Sequence, residues 1–336
     1  MEGVSRPAPQ VVAAKSSSSV APIPPTTVRR YTPSQDRAAV FEICRDVYDG
    51  RDYIPRVIDD YADETDVLVE CSEASGDPRA LICGARDGSL YHIWGCRTHP
   101  DERGKGIMRR LMRHVEEEAR RRDDSTTMVS TTIKANTAML KIFREEGYVE
   151  HANEIWVWPD SSVQDRADHT MGFVLAHHRR ATLPGALATR PTPSRVTSVD
   201  GLRRALRRAR NTADSNDSRW IPASYEVIAC DGRTLQEAIA NGNVYAIEGD
   251  AFSSVVAVVS DQLGGLVLSI VVNGATALGH VLGAVSAEVG ERQIKRMYVD
   301  FAGGHRPGAA DFVHADGWTS YLVLTKDSLH QSESSP

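Results

Sequence analysis

The chain has 336 residues, is 41% hydrophobic and 25% charged, and carries a formal net charge of -6. That length suits two domains of about 100–200 residues each, and the slight acidic balance gives no chain-wide attraction to nucleic acid or to an anionic membrane, so neither partner is expected. The five cysteines, Cys44, Cys71, Cys83, Cys96 and Cys230, include no CxxC spacing, which argues against a disulfide framework and a zinc site and for a reducing cytoplasm or nucleus, with no metal expected.

Residues 1–27 are rich in Pro, Ser and Ala and cannot build a core, so they read as a disordered tail. They lack the apolar stretch of a secretory signal, while their sparse acids leave a transit-peptide role open. "VRRYT" then reads as a strand, and Thr32 or Ser34 can cap a helix whose apolar positions Ala39, Ile43 and Val47 recur near helical spacing. In "DGRDYIPRVIDDYADE", Pro55 breaks or opens a helix, and the acids read as a solvated face that can also attract a cationic amine. The runs "VLVECS", "RALICGARD" and "SLYHIWGCRT", separated by the Asp77-Pro78 and Asp87-Gly88 turns, predict an antiparallel meander. Ile107, Leu111, Met112, Val115 and Ala119 stripe a helix over 107–122. "TTMVSTTI" predicts a strand, 136–146 a second helix ending at Gly147, and "EIWVW" a strand closing the first half. The third meander strand, the helix and the next strand form a βαβ crossover.

Between Pro159 and Arg219 loop signals mix with basic residues. Leu202, Ala205, Leu206 and Ala209 stripe a short helix whose other face is arginine, read as a solvated linker helix; a nucleic-acid adaptor using Arg203 to Arg210 is the lesser reading, given the acidic net charge. Gln262 to Ala287 lacks formal charge, but Gly264-Gly265, Asn273-Gly274, Gly279 and His280 interrupt it, so a strand followed by a helix fits better than a membrane span. "SSVVAVVS", "GLVLSIVVN", a helix over 275–289 and "KRMYVDF" follow the order of the first half, as a degenerate second copy of it would. The expected organisation is a tail over 1–27, a first domain over 28–160, a linker with the basic helix over 161–219, a second half over 220–328 and a tail over 329–336. The fold class is α+β with a mixed sheet.

The chemistry concentrates in "RTHPDERGKGIMRRLMRH", Arg97 to His114. The first amides of a helix lack intrahelical partners and carry the positive end of its dipole, so a helix start attracts anions. Gly104 and Gly106 remove Cβ atoms that would hold a phosphate away, and Arg103 and Lys105 add charge, as a pyrophosphate requires. The Walker A loop needs Ser or Thr after Gly-Lys, and the dinucleotide fingerprint needs Gly where Arg109 stands, so both are excluded.

"HPDERGKGI", after a strand and opening a helix, resembles the acyl-CoA pyrophosphate loop of the GNAT superfamily of N-acetyltransferases, whose pattern is Arg/Gln-x-x-Gly-x-Gly/Ala. Arg103, Gly104, Lys105, Gly106 and Ile107 match it; Met108 departs at the last position and is expected to crowd the turn. "NTAMLKIFREEGY" is similar to the family's second helix, which makes Asn136 a pantetheine contact and leaves Phe143 where the family's general-acid Tyr stands. Within the superfamily the closest likeness is to the histidine N-acetyltransferase branch: "VYDGRDYIP" resembles its Tyr-x-Gly-x-Asp-Tyr-Leu-Pro segment and "WGCRTHPDERGKGI" its Glu-Gly-Leu-Arg-Val-x-Pro…Arg-Gly-Lys-Gly, with Trp94 replacing the Glu. The likeness is strong over Tyr31 to Trp158 and faint beyond.

The resemblance implies a GNAT-like acyl-CoA N-acyltransferase fold with a degenerate second half, acetyl-CoA as cofactor, and transfer of its acetyl group to the amine of a small molecule, a free amino acid with histidine leading. It places Cys96, Arg97, Thr98, Arg103, Gly104, Lys105, Gly106, Ile107, Met108, Asn136 and Phe143 at the cofactor, the backbone of Gly95, Cys96 and Arg97 facing pantetheine and thioester. Asp52, Tyr53 and Trp94 are expected at the acceptor, Asp52 attracting a cation. The reaction needs a neutral amine, N–H donors for the oxyanion and a proton for sulfur. His92 shares a strand face with Trp94 and is the candidate base, a water chain being the alternative; solvent, the ammonium or a Tyr such as Tyr53 supplies the sulfur proton. The rival reading is a non-catalytic acetyl-CoA-binding or protein-interaction module, which Phe143 and Trp94 favour. His92 and Tyr53 also read as ordinary core and packing residues.

Overall fold

The computed structural model describes residues 26–123, 126–151, 155–158, 193–211, 218–223, 226–249, 252–260, 266–273, 278, 281–282, 294–302 and 319–327. The first half runs β1 (Thr26–Arg30), α1 (Pro33–Cys44), α2 (Ile54–Glu64), β2 (Asp66–Ser72), β3 (Pro78–Asp87), β4 (Leu90–Thr98), α3 (Ile107–Arg122), β5 (Thr127–Thr132), α4 (Thr137–Glu145), β6 (Val149–Glu150) and β7 (Ile155–Trp158). The second runs β8 (Ser194–Arg195), α5 (Val199–Arg210), the hairpin β9 (Trp220–Ala223) and β10 (Glu226–Ala229), α6 (Arg233–Ala240), β11 (Val244–Gly249), β12 (Phe252–Ser260), β13 (Leu266–Asn273), β14 (Ile294–Ala302) and β15 (Thr319–Asp327). The helix expected over 275–289 lies largely outside the described residues. None of the described helices is long and apolar enough to cross a membrane.

The meander is antiparallel, as the turns predict, and β4 and β5 are its parallel pair. Alternation assigns each strand two faces. Val67, Val69, Cys71, Leu81 and Cys83 face α1 and α2, whereas Leu68, Ala80, Ile82, Tyr91 and Ile93 face the buried stripe of α3 and α4. Helix α1 ends at Cys44, before Val47, and buries Val40, Ile43 and Cys44. Pro55 sits in the first turn of α2, where its missing N–H has no partner to lose.

Both halves join one 13-stranded sheet in the order β1-β2-β3-β4-β5-β15-β7-β14-β13-β12-β11-β8, with β6 paired to β15. Sequence order predicts that "EIWVW" closes the first half, but β7 leaves it and pairs with β14, while β15 from the chain end pairs with β5 and β7. The halves thus exchange their last strands, and two strand edges that each half would expose become one continuous ladder. Side chains seal the exchange: Lys326 of β15 donates to Glu116 of α3 at 2.7 Å, and both are buried.

Helix α5, in the stretch expected as a linker, buries Leu202, Ala205, Leu206 and Ala209 together with β9, β10 and strands of both halves, including Leu90 and Val129. Two Asp-Gly turns also interlock. Asp87 accepts from Ala229 N at 2.8 Å and Asp231 accepts from Ser89 N at 3.0 Å, while a Cβ on Gly88 or Gly232 would collide with the opposite aspartate.

Candidate functional site

β4 and β5 pair only from Leu90↔Thr127 to Ile93↔Ser130, although β4 continues to Thr98. Two local causes end the pairing. Ser130 Oγ donates to Ile93 O at 2.8 Å, closing the last pair. Next, Gly95, at φ +63°, bulges β4 so that Cys83 faces Trp94 but Leu81 faces Arg97 across β3. Only glycine fits this backbone, since a Cβ would also meet Cys83 Sγ at 3.0 Å and Ile54 Cδ1 at 3.1 Å. Beyond the bulge, the backbone groups of Cys96, Arg97 and Thr98 on the β5 side are not paired with β5.

This notch leads to the glycine turn. A single 3₁₀ turn, Pro100–Glu102, precedes Gly104 at φ +80° and Gly106 at φ +72°, the latter being the N-cap of α3. The first turn of α3 holds no acidic residue and Gly106 has no side chain to cap it, so its free amides find no side-chain acceptor and present the positive end of the helix dipole outward. No atom lies within 4 Å of where a Gly104 Cβ would be, so the turn faces open space. The nearby cations brace the loop: Lys105 Nζ lies 3.1 Å from Glu102, Arg103 Nε donates to Thr98 O at 3.4 Å, and Arg110 donates to Lys105 O at 3.1 Å and to Glu70 at 2.6 Å. Ile107 and Met108 are buried in the core beneath α3, so Met108 does not crowd the turn as expected from its bulk.

Asn136 is exposed and caps α4: its side chain accepts from Met139 N at 3.4 Å and donates to Thr132 Oγ1 at 3.2 Å. Phe143 is 1% exposed and meets Tyr148 edge to face at 5.0 Å, so it supports the α4 side of the notch from within the core.

The expected acceptor residues gather on the other side of β4. Trp94 is half-buried against α2, its ring 6.0 Å from Tyr61 in a T-shaped contact, and Tyr53, at the start of α2, is 39% exposed. Asp52 differs from expectation. Its carboxylate takes two bonds from Arg97, Nε at 2.6 Å and Nη2 at 3.0 Å; burial would raise its pKa, but these bonds hold it below the ordinary carboxylate range. Already neutralised, it is a poor attractor for a further cation. His92 is buried between Leu90 and Trp94 on the same strand face, its Nε2 without a hydrogen-bond partner, and burial pushes its pKa down to about 4. The ring is therefore neutral near pH 7.

Tyr48, in the segment likened to the family's acceptor loop, lies over Arg97, 5.5 Å from guanidinium carbon to ring centre. Two neighbours escaped sequence reasoning: Ser130 ends the strand pairing, and the Cys44 thiol, pushed up to about 12 by burial and by Asp52, lies beside that carboxylate. Nothing local marks Ser130 or Cys44 as part of the site.

The strand pair thus parts at a bulge, and β4 runs on into a glycine turn at the uncapped start of α3. Residues 29–148 match the family model of the acetyltransferase (GNAT) family. Over these residues the chain is similar to the GNAT acetyltransferase family, whose members use acetyl-CoA to acylate amines, and its fold is the GNAT fold with additional sheet from the second half. Among solved structures, the chain is similar to a GCN5-related N-acetyltransferase from Sphaerobacter thermophilus, at 15% identity over 91% of this chain and 97% of that one, with a TM-score of 0.47. It is also similar to the ribosomal-protein-S18-alanine N-acetyltransferase from Escherichia coli, at 15% identity over 39% and 80% of the two chains and a TM-score of 0.34. A Salmonella typhimurium protein assigned as an acetyltransferase, solved with its cofactor acetyl-CoA, shares 22% identity over 38% of this chain and 83% of that one, with a TM-score of 0.32. No curated protein matches the sequence.

Proposed function

We propose that residues 28–160 bind acetyl-CoA in the β4–β5 notch and transfer its acetyl group to the amine of a small molecule, a free amino acid with histidine as the first candidate. The observation that carries this reading is the continuity of the notch with the Arg103–Gly106 turn, which opens α3 without a side-chain cap. Acetyl-CoA, when bound, supplies an activated thioester. The turn holds an anion through the amides of 104 to 108, and the bulged backbone of Gly95 to Arg97 supplies fixed polar groups that need no reorganisation. Tyr53 and Trp94 form an apolar acceptor wall. His92, neutral because it is buried, is the proposed proton acceptor. With a pKa of about 4 it stays in its basic form throughout the neutral range, so the acid limb of a kcat/KM profile belongs to the attacking amine. The five cysteines are all free, which supports a cytoplasmic setting.

A second reading, an acetyl-CoA-binding module without chemistry, is favoured by Phe143, which puts a buried ring and no hydroxyl where the family's acid stands. Calorimetric titration of acetyl-CoA, combined with coenzyme A release on all standard amino acids, polyamines and a peptide with a free N-terminus, separates the two. Release with a free amino acid is expected. Reaction of the peptide or of a protein lysine alone overturns the small-amine reading, and binding without any release gives the second reading its place.

A further inference from the structure

The Arg97 side chain touches both the acceptor loop and the strand at the notch. Its side chain is 13% exposed and each of its nitrogens has an acceptor. Nε and Nη2 donate to Asp52, and Nη1 donates to Cys96 O at 3.2 Å, the first carbonyl after the Gly95 bulge. The Tyr48 ring covers one face of the guanidinium. An arginine held in this way has little left for a substrate carboxylate, but its planar fork fixes the direction of everything bonded to it.

The loop that Arg97 holds is strained. Tyr48 at φ +50°, Asp49 at φ +55° and Gly50 at φ +77° are three successive left-handed residues. L side chains disfavour that conformation at the two non-glycine positions, and such strain persists only where the surroundings impose it. Hydrogen bonds within the loop, Gly50 N to Val47 O and Arg51 N to Tyr48 O, both at 3.1 Å, close the turn but do not place it. Placement comes from the Tyr48 ring over Arg97 and from Asp52, whose Oδ1 also accepts from Ile54 N at 3.3 Å at the start of α2. On the other side, the strand that Arg97 holds has lost its ladder. The β4 residues after the bulge pair with β3 but not with β5, so the Cys96 carbonyl is oriented by Arg97 in place of a strand neighbour.

We propose that Asp52 and Arg97 are positioning residues that lock the 48–53 acceptor loop to the bulged backbone at Cys96, so that the acceptor wall and the polar groups facing the thioester are set by one rigid strut. This rests on the acetyl-CoA reading of the notch. It makes a distinct prediction, because the strut stands apart from the Arg103–Gly106 turn that holds the anion: loss of the strut alters the polarisation of the thioester and leaves cofactor affinity in place.

The test uses the full chain and acetyl-CoA labelled with ¹³C at the thioester carbonyl. Difference infrared spectroscopy of the bound cofactor should show the carbonyl band displaced from its free position in the wild type. In Arg97→Ala most of that displacement should vanish while the acetyl-CoA dissociation constant stays within twofold, and millimolar guanidinium should restore part of it. Asp52→Asn, which keeps the side-chain volume, should lose about half of the displacement and serves if Arg97→Ala does not fold. A wild type that does not bind acetyl-CoA overturns the underlying reading of the site. A wild type that binds it with an undisplaced carbonyl, or variants whose band is displaced as in the wild type, overturn the strut alone. So does a fall in affinity that accounts for the whole effect.

Discussion

In the first half β4 and β5 pair from Leu90↔Thr127 to Ile93↔Ser130 and then part, whereas in the second half the corresponding parallel strands, β13 and β14, stay paired from Leu266↔Ile294 to Asn273↔Ala302. The strand order around the two pairs is the same: a meander on one side and, on the other, the last strand of the opposite half. The difference is local. β4 has a left-handed glycine that bulges it against β3, while the single irregularity between β13 and β14 falls at the Leu266/Val267 end and leaves the rest of the ladder intact. One half keeps a notch and the other has closed it, and the closed half keeps its use as a scaffold. It donates β15, covers β4 and β5 with its hairpin, and carries the buried ion pair Arg210–Asp300, with side chains 2% and 0% exposed.

The harshest way to break this division of labour is to take the scaffold away. A chain ending at residue 318 lacks β15, so Leu322 and Leu324 leave the core under α3, Glu116 loses Lys326, and β5 and β7 become open edges. Two lost core leucines at about 2–5 kcal/mol each are comparable with a typical total stability of about 5–15 kcal/mol. The truncated chain, and residues 28–160 alone, should aggregate or elute as oligomers in size-exclusion chromatography. A soluble, monomeric 28–160 fragment with wild-type acetyl-CoA affinity would show that the first half needs no scaffold.

A smaller effect comes from cutting the scaffold's own buried pair. Asp300 accepts from Arg210 at 2.8 Å, and the guanidinium stacks on Trp220, 4.1 Å from the ring centre. Asp300→Asn removes the carboxylate charge beside the buried Arg210 guanidinium, at a cost of up to about 3–5 kcal/mol, read as a lower urea midpoint. Burial would raise the Asp300 pKa, but Arg210, with His151 beside it, holds it below the ordinary carboxylate range. A depressed folded-state pKa contributes stability above the unfolded value of about 3.9, and that stability is lost as the pH falls below it. Urea midpoints measured from about pH 6 down to about pH 3 should therefore fall more steeply in the wild type than in Asp300→Asn, while acetyl-CoA affinity at neutral pH stays the same in the folded variant.

Sequence made much of the first half legible because its signals are short-range. Asp77-Pro78 and Asp87-Gly88 set the meander, and the stripe from Ile107 to Ala119 is the buried face of α3. The strand exchange was not legible. The apolar run 155–158 says that it is a strand but not which neighbour it takes, 319–327 carries no strand in the sequence reading, and Thr127 meets Asp327 across 200 positions. The glycine turn could be read because its chemistry is local backbone geometry. Asp52 could not: a lone carboxylate suggests an attractor for cations until Arg97, 45 residues away, is seen to neutralise it.

The finest division lies within the notch itself, between backbone and charge. Gly104→Asp adds a Cβ and a carboxylate to a turn that faces open space, so it should weaken acetyl-CoA binding at least tenfold, about 1.4 kcal/mol, with the fold kept. Lys105→Ala should do much less. Its ammonium already lies 3.1 Å from Glu102 and is half exposed, so an incoming phosphate gains little beyond what that pair gives up, and an exposed pair is worth about 0.2–1 kcal/mol. Calorimetric titration should give a loss of about threefold or less at low salt. That loss should shrink toward zero near 1 M salt, where the screening length falls to about 3 Å, whereas the Gly104→Asp defect should largely persist because part of it is backbone strain and lost amide contact. A Lys105→Ala loss as large as that of Gly104→Asp, and equally large at high salt, would mean that the turn binds through its side chains. The uncapped amides of α3 would then lose their place as the feature that distinguishes the open half from the closed one.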